Sequence, residues 1–536
     1  MSQFQERTIK FIGKSQNPAA AEVLLNLLDN PDARFRNLAF SSLYLKRESE
    51  IYVQLFKYFL KEEEFWAKTE FLNGDRLAKI ADAAFREQSG TYREIVAEKT
   101  KQYKLYEMLP TVMLYLESND EKTSNAMRSV LLQLAESFYA DILAAPESER
   151  RNFDRKRDWF VQQLDASVKR FSVHHFDEVI KSLLIITKKE YDTMKTISAD
   201  HRSAAAQKAA ELLLSGEHGS YIRLLLSYLN DAESPATMDQ IIKQRNDALF
   251  VRKMLEYVGK DPSLDLREAL KRFNEFAWFT TENPQLPELV EGLEVCAVQL
   301  LQSASFPKDR TVRLYHFFFE RHSPESRRAA AESVRRLVGE EVNRMLLEFV
   351  NNSDPQTAAT IFRTLQSRNT PGLDVVLPKL IERPEPVIRQ AIYERLPDLH
   401  VEALASRITH MTQHEAETQG YYVRLVDPNT YKIIGNDIVS PIPIRRMAAC
   451  RVAAVTGYGK EFAAHVIRIA EEDSERQCRY AAITALESVM TKEALETLQR
   501  LMTDRATDIR DAAELAVKNW AAAYRAKQQA AANETA

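Results

Sequence analysis

Cysteine is nearly missing from this chain: Cys296, Cys450 and Cys478 stand far apart among 536 residues. An odd number at such spacing supplies neither a disulfide framework nor a Cys-x-x-Cys metal knuckle. Glycine is scarce too, at 13 residues, roughly a third of the usual share. What fills the space is Ala, Leu, Glu, Lys and Arg, all good helix formers, so the sequence reads as helix almost throughout. Excess charge of one sign is also lacking. The formal net charge of −4 and pI near 6.3 provide no global basic field to steer the chain onto phosphate, which makes nucleic acid a disfavoured partner. No run approaches the ~18 apolar residues that would span a bilayer, and the stretch from Leu183 to Ile186 is a core fragment. The first residues, Met1 to Arg7, lack the charged-then-apolar pattern of a signal peptide. The expectation is a cytoplasmic protein with no membrane partner.

With 45% hydrophobic and 28% charged residues, the chain matches a folded protein and not a disordered or collagen-like one. Its organising feature is an internal repeat. The triplet Arg327, Ala330, Val334 returns as Ala358, Ile361, Leu365 and again as Arg389, Ile392, Leu396, in steps of 31 residues. Arg479, Ala482, Leu486 is followed by Arg510, Ala513, Val517 at the same step, and Arg36, Ala39, Leu43 stands near the start. Offsets of three and then four residues put each triplet on one helical stripe. A second apolar pair precedes it by twelve and nine residues, as in Leu24 and Leu27, Leu346 and Phe349, or Leu498 and Leu501. Between the two lie turn residues suited to starting a helix, such as Asn30-Pro31-Asp32 and Ser353-Asp354-Pro355. Each repeat is therefore a helical hairpin that cannot bury its stripe alone and must stack on neighbours. The repeat arginines Arg36, Arg389, Arg479 and Arg510 read as a structural ladder bonded to acidic turn residues of adjoining units.

The pattern Asn30-Pro31 through Arg36, Ala39 and Leu43 resembles HEAT repeats, in particular short bacterial forms of about 31 residues. The resemblance covers roughly 17–45 and 323–520. It implies an all-α fold, an α-solenoid of stacked helical hairpins, serving as a scaffold or binding surface, and it carries no catalytic residue across. The expected organisation is a HEAT-like repeat over 1–45, repeats over 323–520, and a frayed Ala/Gln-rich tail over 521–536. Two readings stay open for 46–322: degenerate solenoid, or a helical bundle docked between the repeat blocks.

One step of the array is long. The helix with Ile408 and Met411 keeps the spacing and puts the next arginine at position 420, yet it comes at Arg446. About 26 extra residues thus lie inside one repeat. Tyr421 to Val426 and Tyr431 to Ile434 are rich in β-branched and aromatic residues and flank Asp427-Pro428-Asn429-Thr430, a turn sequence, so a β-hairpin is expected within an insertion at 413–443. Its exposed Tyr421, Tyr422, Arg424, Tyr431 and Lys432 are the candidate partner-binding residues; the competing reading has the hairpin cover a groove and contribute only stability.

Chemistry-bearing motifs are weak. His410 and His414 stand four apart, but without His-Glu-x-x-His, and His174-His175 diverge by about 100° on a helix. Gly457-Tyr458-Gly459-Lys460 lacks the first glycine and the Ser/Thr of a phosphate loop. Neither catalytic residues nor cofactor or metal ligands are expected. The sequence points to a non-catalytic scaffold for a protein partner, with oligomeric state open. The rivals are a lyase-like or glycosylase-like enzyme module with a site in a groove, and nucleic-acid binding through a local basic stripe.

Overall fold

The computed structural model describes residues 3–534 except 70, 88, 89, 232 and 322, with backbone alone over 526–534. Among the described residues every regular element is a helix. The chain divides into two compact units, Met1–Pro307 and Lys308–Ala536. No helix among the described residues is long and apolar enough to cross a membrane.

Within Met1–Pro307 the helices pack both on their sequence neighbours and on helices two or three further along, as Ser49–Lys61 does on Gly74–Glu87. Asn17 and Asp32 cap the Pro18–Leu27 and Ala33–Tyr44 helices through side-chain oxygens that accept backbone N–H groups at 3.0 and 2.9 Å, each such cap contributing about 1 kcal/mol. Further along, the 24-residue Glu121–Ala144 helix packs against Thr91–Gln102, Leu109–Leu116 and Asp177–Ile186. From Lys271 to Leu293 the chain is mostly turns around a buried aromatic cluster that includes Phe273, Phe276 and Trp278. Buried Arg245 donates to the carbonyls of Leu213 and Gly216 at 2.6 and 2.7 Å and to the Asp247 carboxylate at 2.6 Å, tying two successive hairpins together.

Lys308–Ala536 is a regular stack of helix pairs. The second helices are Pro324–Val334, Pro355–Ser367, Pro386–Arg395, Gln413–Val426, Pro443–Val455, Arg476–Ser488 and Thr507–Glu534, and each packs on the next. The predicted triplets face inward: Ala330, Val334, Ala358, Ile361, Leu365, Ala482 and Leu486 are fully buried. The arginine ladder is present in two forms. Arg479 pairs with Asp504 of the following turn at 2.5 Å and Arg36 pairs with Glu62, whereas Arg389 and Arg510 donate to backbone carbonyls of their own turns, Arg383 at 3.1 Å and Asp504 at 2.7 Å. Arg383 repeats the Arg245 device, bonding the Ser353 carbonyl at 2.9 Å and the Glu385 carboxylate two residues on.

The expected β-hairpin is not there. Residues 413–426 and 430–438 are both helices, so the 57 positions from Arg389 to Arg446 hold two repeats of 27 and 30 residues, and Ala416 occupies the arginine position of the first. The reason is packing. Ala416, Gly420, Val423 and Asp427, then Thr430, Ile434 and Ile438, are buried at helical spacing, and burial against neighbours outweighs the β preference of the tyrosine and valine side chains in these segments. Thr412 starts the first helix with a capping box: its Oγ1 accepts from the Glu415 N–H while the Glu415 carboxylate accepts from the Thr412 N–H at 2.9 Å. Gly420 is needed for closeness, because a Cβ there would lie 2.5 Å from the Val455 carbonyl oxygen.

Candidate binding face

The inward triplets leave a complementary outward stripe on each second helix. Five residues beyond each ladder position stand Glu332, Arg363, Glu394, Tyr421, Arg451 and Thr484, one per repeat. Eight beyond stand Arg335, Arg424 and Glu487, among others. Side chains four and three apart share a helical face, so these positions form a row running from repeat to repeat. Two cavities open on it.

The larger, of about 680 Å³, spans the helices from Gln413–Val426 to Thr507–Glu534 and is lined by Met411, Glu417, Arg451, Tyr480, Glu487 and Asn519, among others. Tyr480 is 46% exposed, a large amphipathic ring left open on an otherwise well-packed helix. The Arg451 Nε is buried without a hydrogen-bond partner among the described residues, a donor that a ligand carbonyl or a water would satisfy. Burial pushes the Glu487 carboxyl above the ordinary carboxylate range, with Asn519 opposing through a hydrogen bond. Methionines at 411 and 490 give the rim adaptable apolar surface.

The smaller cavity, of about 250 Å³, is polar. Glu332, Arg335, Thr360, Arg363, Ser367 and Arg395 line it from three successive second helices. Arg363 pairs with Glu394 at 3.1 Å, whereas Arg335 and Arg395 close no ion pair among the described residues. Gln390 and Arg363 hold the Glu394 carboxyl below its ordinary range.

The five residues singled out in the sequence divide between the row and its flank. Tyr421, 49% exposed, takes the outward position between the two cavities, with its ring 5.8 Å from that of Tyr422. Arg424 is engaged within the chain: its guanidinium lies 4.7 Å over the Tyr458 ring and donates to the Thr456 and Gly457 carbonyls at 3.3 Å. Gly457, at φ +75°, makes room for it, since a Cβ would lie 2.5 Å from the guanidinium. That is the role of the glycine-containing turn at 457–460. Tyr431 joins the same cluster, 5.6 Å from Tyr458 and 4.9 Å from Phe462, and Lys432 beside it is exposed. Arg451, Tyr480 and Glu487 were not among the sequence candidates; their signal is their place on the outward stripe.

Elsewhere, His174 accepts the Phe176 N–H at 2.9 Å and bridges to Ser167, a link between helices, and His175 ends its short helix at φ +54°. No group of three or more His, Cys, Asp or Glu side chains among the described residues is placed to hold a metal.

No family model matches the sequence, and no curated protein does. Among solved structures, Kap121p is similar over 94% of this chain and 59% of its own, at 12% identity and a TM-score of 0.24. Importin beta is similar over 96% and 65%, at 12% and 0.22, and an engineered protein over 77% and 98%, at 13% and 0.17. This chain thus spans about 59% of the Kap121p chain it matches. The likenesses are loose ones among many-helix stacks, and the architecture described above stands on this chain's own helix pairs.

Proposed function

We propose that the chain is a non-catalytic scaffold that holds a protein partner along the second-helix face of Lys308–Ala536. The observation that supports it is the larger groove: it crosses four successive repeats, leaves Tyr480 half exposed, and holds a buried arginine donor with no partner among the described residues. Open aromatic and arginine side chains are the residues that dominate protein interfaces. An extended groove of this kind engages a chain segment by complementarity over many contacts, with no bond made or broken. A catalytic reading has Glu487 in its favour, a carboxyl with raised protonation in a groove, yet the groove lining provides neither a histidine nor a cysteine to work with it.

The test is stoichiometric co-purification from native lysate with the intact chain and with Arg451→Glu/Tyr480→Ser. Both positions line the groove from partly or half-exposed sites, so helix content should match in circular dichroism. The expected result is one identified protein captured by the intact chain and lost by the variant. A partner retained at full stoichiometry by the variant removes the groove from the interface.

A further inference from the structure

We infer that the Arg335–Arg363–Arg395 pocket reads carboxylates of an acidic peptide segment in the partner, whose continuation lays an apolar side chain in the larger groove. The inference rests on the scaffold reading above and names the chemistry of what is bound.

Three observations carry it. Three arginines from three consecutive repeats line one polar cavity, and among the described residues only Arg363 of the three closes an ion pair. Three guanidinium-bearing side chains, two of them exposed and one half-buried, make a locally positive patch that an anion neutralises, and guanidinium forks match carboxylate oxygens two at a time. The face then continues without a break in repeat order through Tyr421 to a groove of a different character, edged by methionines and Tyr480. A ligand that uses both must carry charge at one end and apolar surface at the other, and must be long.

Spacing sets the length. The pocket's central helix, Pro355–Ser367, and the groove's Pro443–Val455 helix are three packed helices apart, about 24–30 Å at the usual interaxial distance. An extended peptide advances about 3.3 Å per residue, so about seven to nine residues separate the acidic cluster from the apolar anchor. Glu332 within the pocket and Glu394 at its edge disfavour a polyphosphate backbone, which brings a high continuous charge, relative to a segment with two or three spaced carboxylates.

The experiment uses the full chain to select from a displayed library of random peptides about 16 residues long, an extended reach sufficient for both sites. The intact chain, Arg335→Glu/Arg395→Glu and Arg451→Glu/Tyr480→Ser are compared, both pocket arginines being exposed and their replacement tolerable. The expected outcome is enrichment of Asp/Glu clusters with a Leu, Phe or Trp about seven to nine positions away, and affinity weakened roughly tenfold or more by the pocket variant. Peptides without acidic clusters, or affinity unchanged by the pocket variant while the groove variant loses it, overturn this inference and leave the scaffold reading in place. Selected peptides that bind both variants as well as the intact chain overturn both. Binding of a labelled oligo-dT that the pocket variant abolishes, with no peptide enriched, assigns the pocket to phosphate and overturns the inference.

Discussion

Arg446 reaches from one repeat to clasp Asp473 in the turn of the next, its Nε and Nη2 donating to the two carboxylate oxygens at 2.7 and 2.9 Å. The pair is largely out of solvent, with the Asp473 side chain 5% exposed. Asp473 also accepts the Glu475 N–H at 2.9 Å, and Arg446 donates to the Ser440 carbonyl at 2.8 Å. One ion pair thus fixes a turn, a helix start and the spacing of two repeats.

Arg446→Met should therefore destabilise Lys308–Ala536 by about 3 kcal/mol, since it leaves a buried carboxylate unpaired. Arg446→Lys should recover only part of this, because an ammonium cannot serve both oxygens in one plane. The pairing with Arg446 holds the Asp473 carboxyl below its ordinary range. A depressed folded value contributes stability that is present above the unfolded value of about 3.9 and lost as pH falls through the lower folded one. Urea unfolding should show the gap between the intact chain and Arg446→Met holding through neutral and mildly acidic pH and closing only in stronger acid. A gap that widens on acidification contradicts the assignment.

Gly420 and Gly435 make opposite forecasts from the same substitution. Alanine is the better helix former by about 1 kcal/mol, and at Gly435 its Cβ meets Phe462 at an ordinary 3.5 Å. At Gly420 the Cβ would sit 2.5 Å from a backbone oxygen on the Pro443–Val455 helix, which cannot swing aside as a side chain does. Gly435→Ala should stabilise by about 0.5–1 kcal/mol, and Gly420→Ala should destabilise by about 1–3 kcal/mol despite its propensity. The two unfolding midpoints, read against the intact chain, check both signs.

The three thiols should be silent in the folded chain. All are buried, and burial pushes the Cys450 thiol up to about 12, with Cys478 raised for the same reason and donating to the Pro443 carbonyl at 3.2 Å. Thiolate is the reactive form. A thiol-specific chromogenic reagent at mildly alkaline pH should register fewer than one cysteine per native chain and all three after denaturation. Rapid labelling of Cys450 in the native chain would contradict its burial.

How much of this was legible beforehand follows from which residues repeat. The 31-residue step was readable because Arg, Ala and Leu recur at positions where the stack tolerates little else: Ala39, Ala330, Ala482 and Ala513, which share one position of the repeat, are fully buried. The array became unreadable where Ala416 replaced the arginine and the step shortened to 27. Exposed Tyr421 and Tyr431 then set the apparent composition, while the buried stripe through Gly420, Val423 and Ile434 carried the actual structure. Thr412 and Glu415, a capping box, were the sequence signal for a helix start there. The candidate face escaped for another reason. Arg451, Tyr480 and Glu487 are defined by facing away from the pattern, and only the inward stripe is constrained enough to recur.

Glu487 offers a check on whether that face is kept for stability or for binding. Its carboxyl is raised by burial, with Asn519 as a partial counterweight. A carboxyl whose folded value lies above the unfolded one adds stability that is fully present below the unfolded value, about 4.3, and lost as pH rises through the folded value. Near neutral pH the charge is therefore a liability to the fold. Glu487→Gln keeps the size and a hydrogen bond to Asn519 while removing the charge. The unfolding midpoint should rise at about pH 7, and the gain should shrink as pH is lowered toward about 4.3. Since the groove surrounds this residue, partner capture by the same variant should weaken as stability improves, the trade expected where a strained group serves binding. A variant that is stabilised and still captures its partner in full would place Glu487 outside the interface.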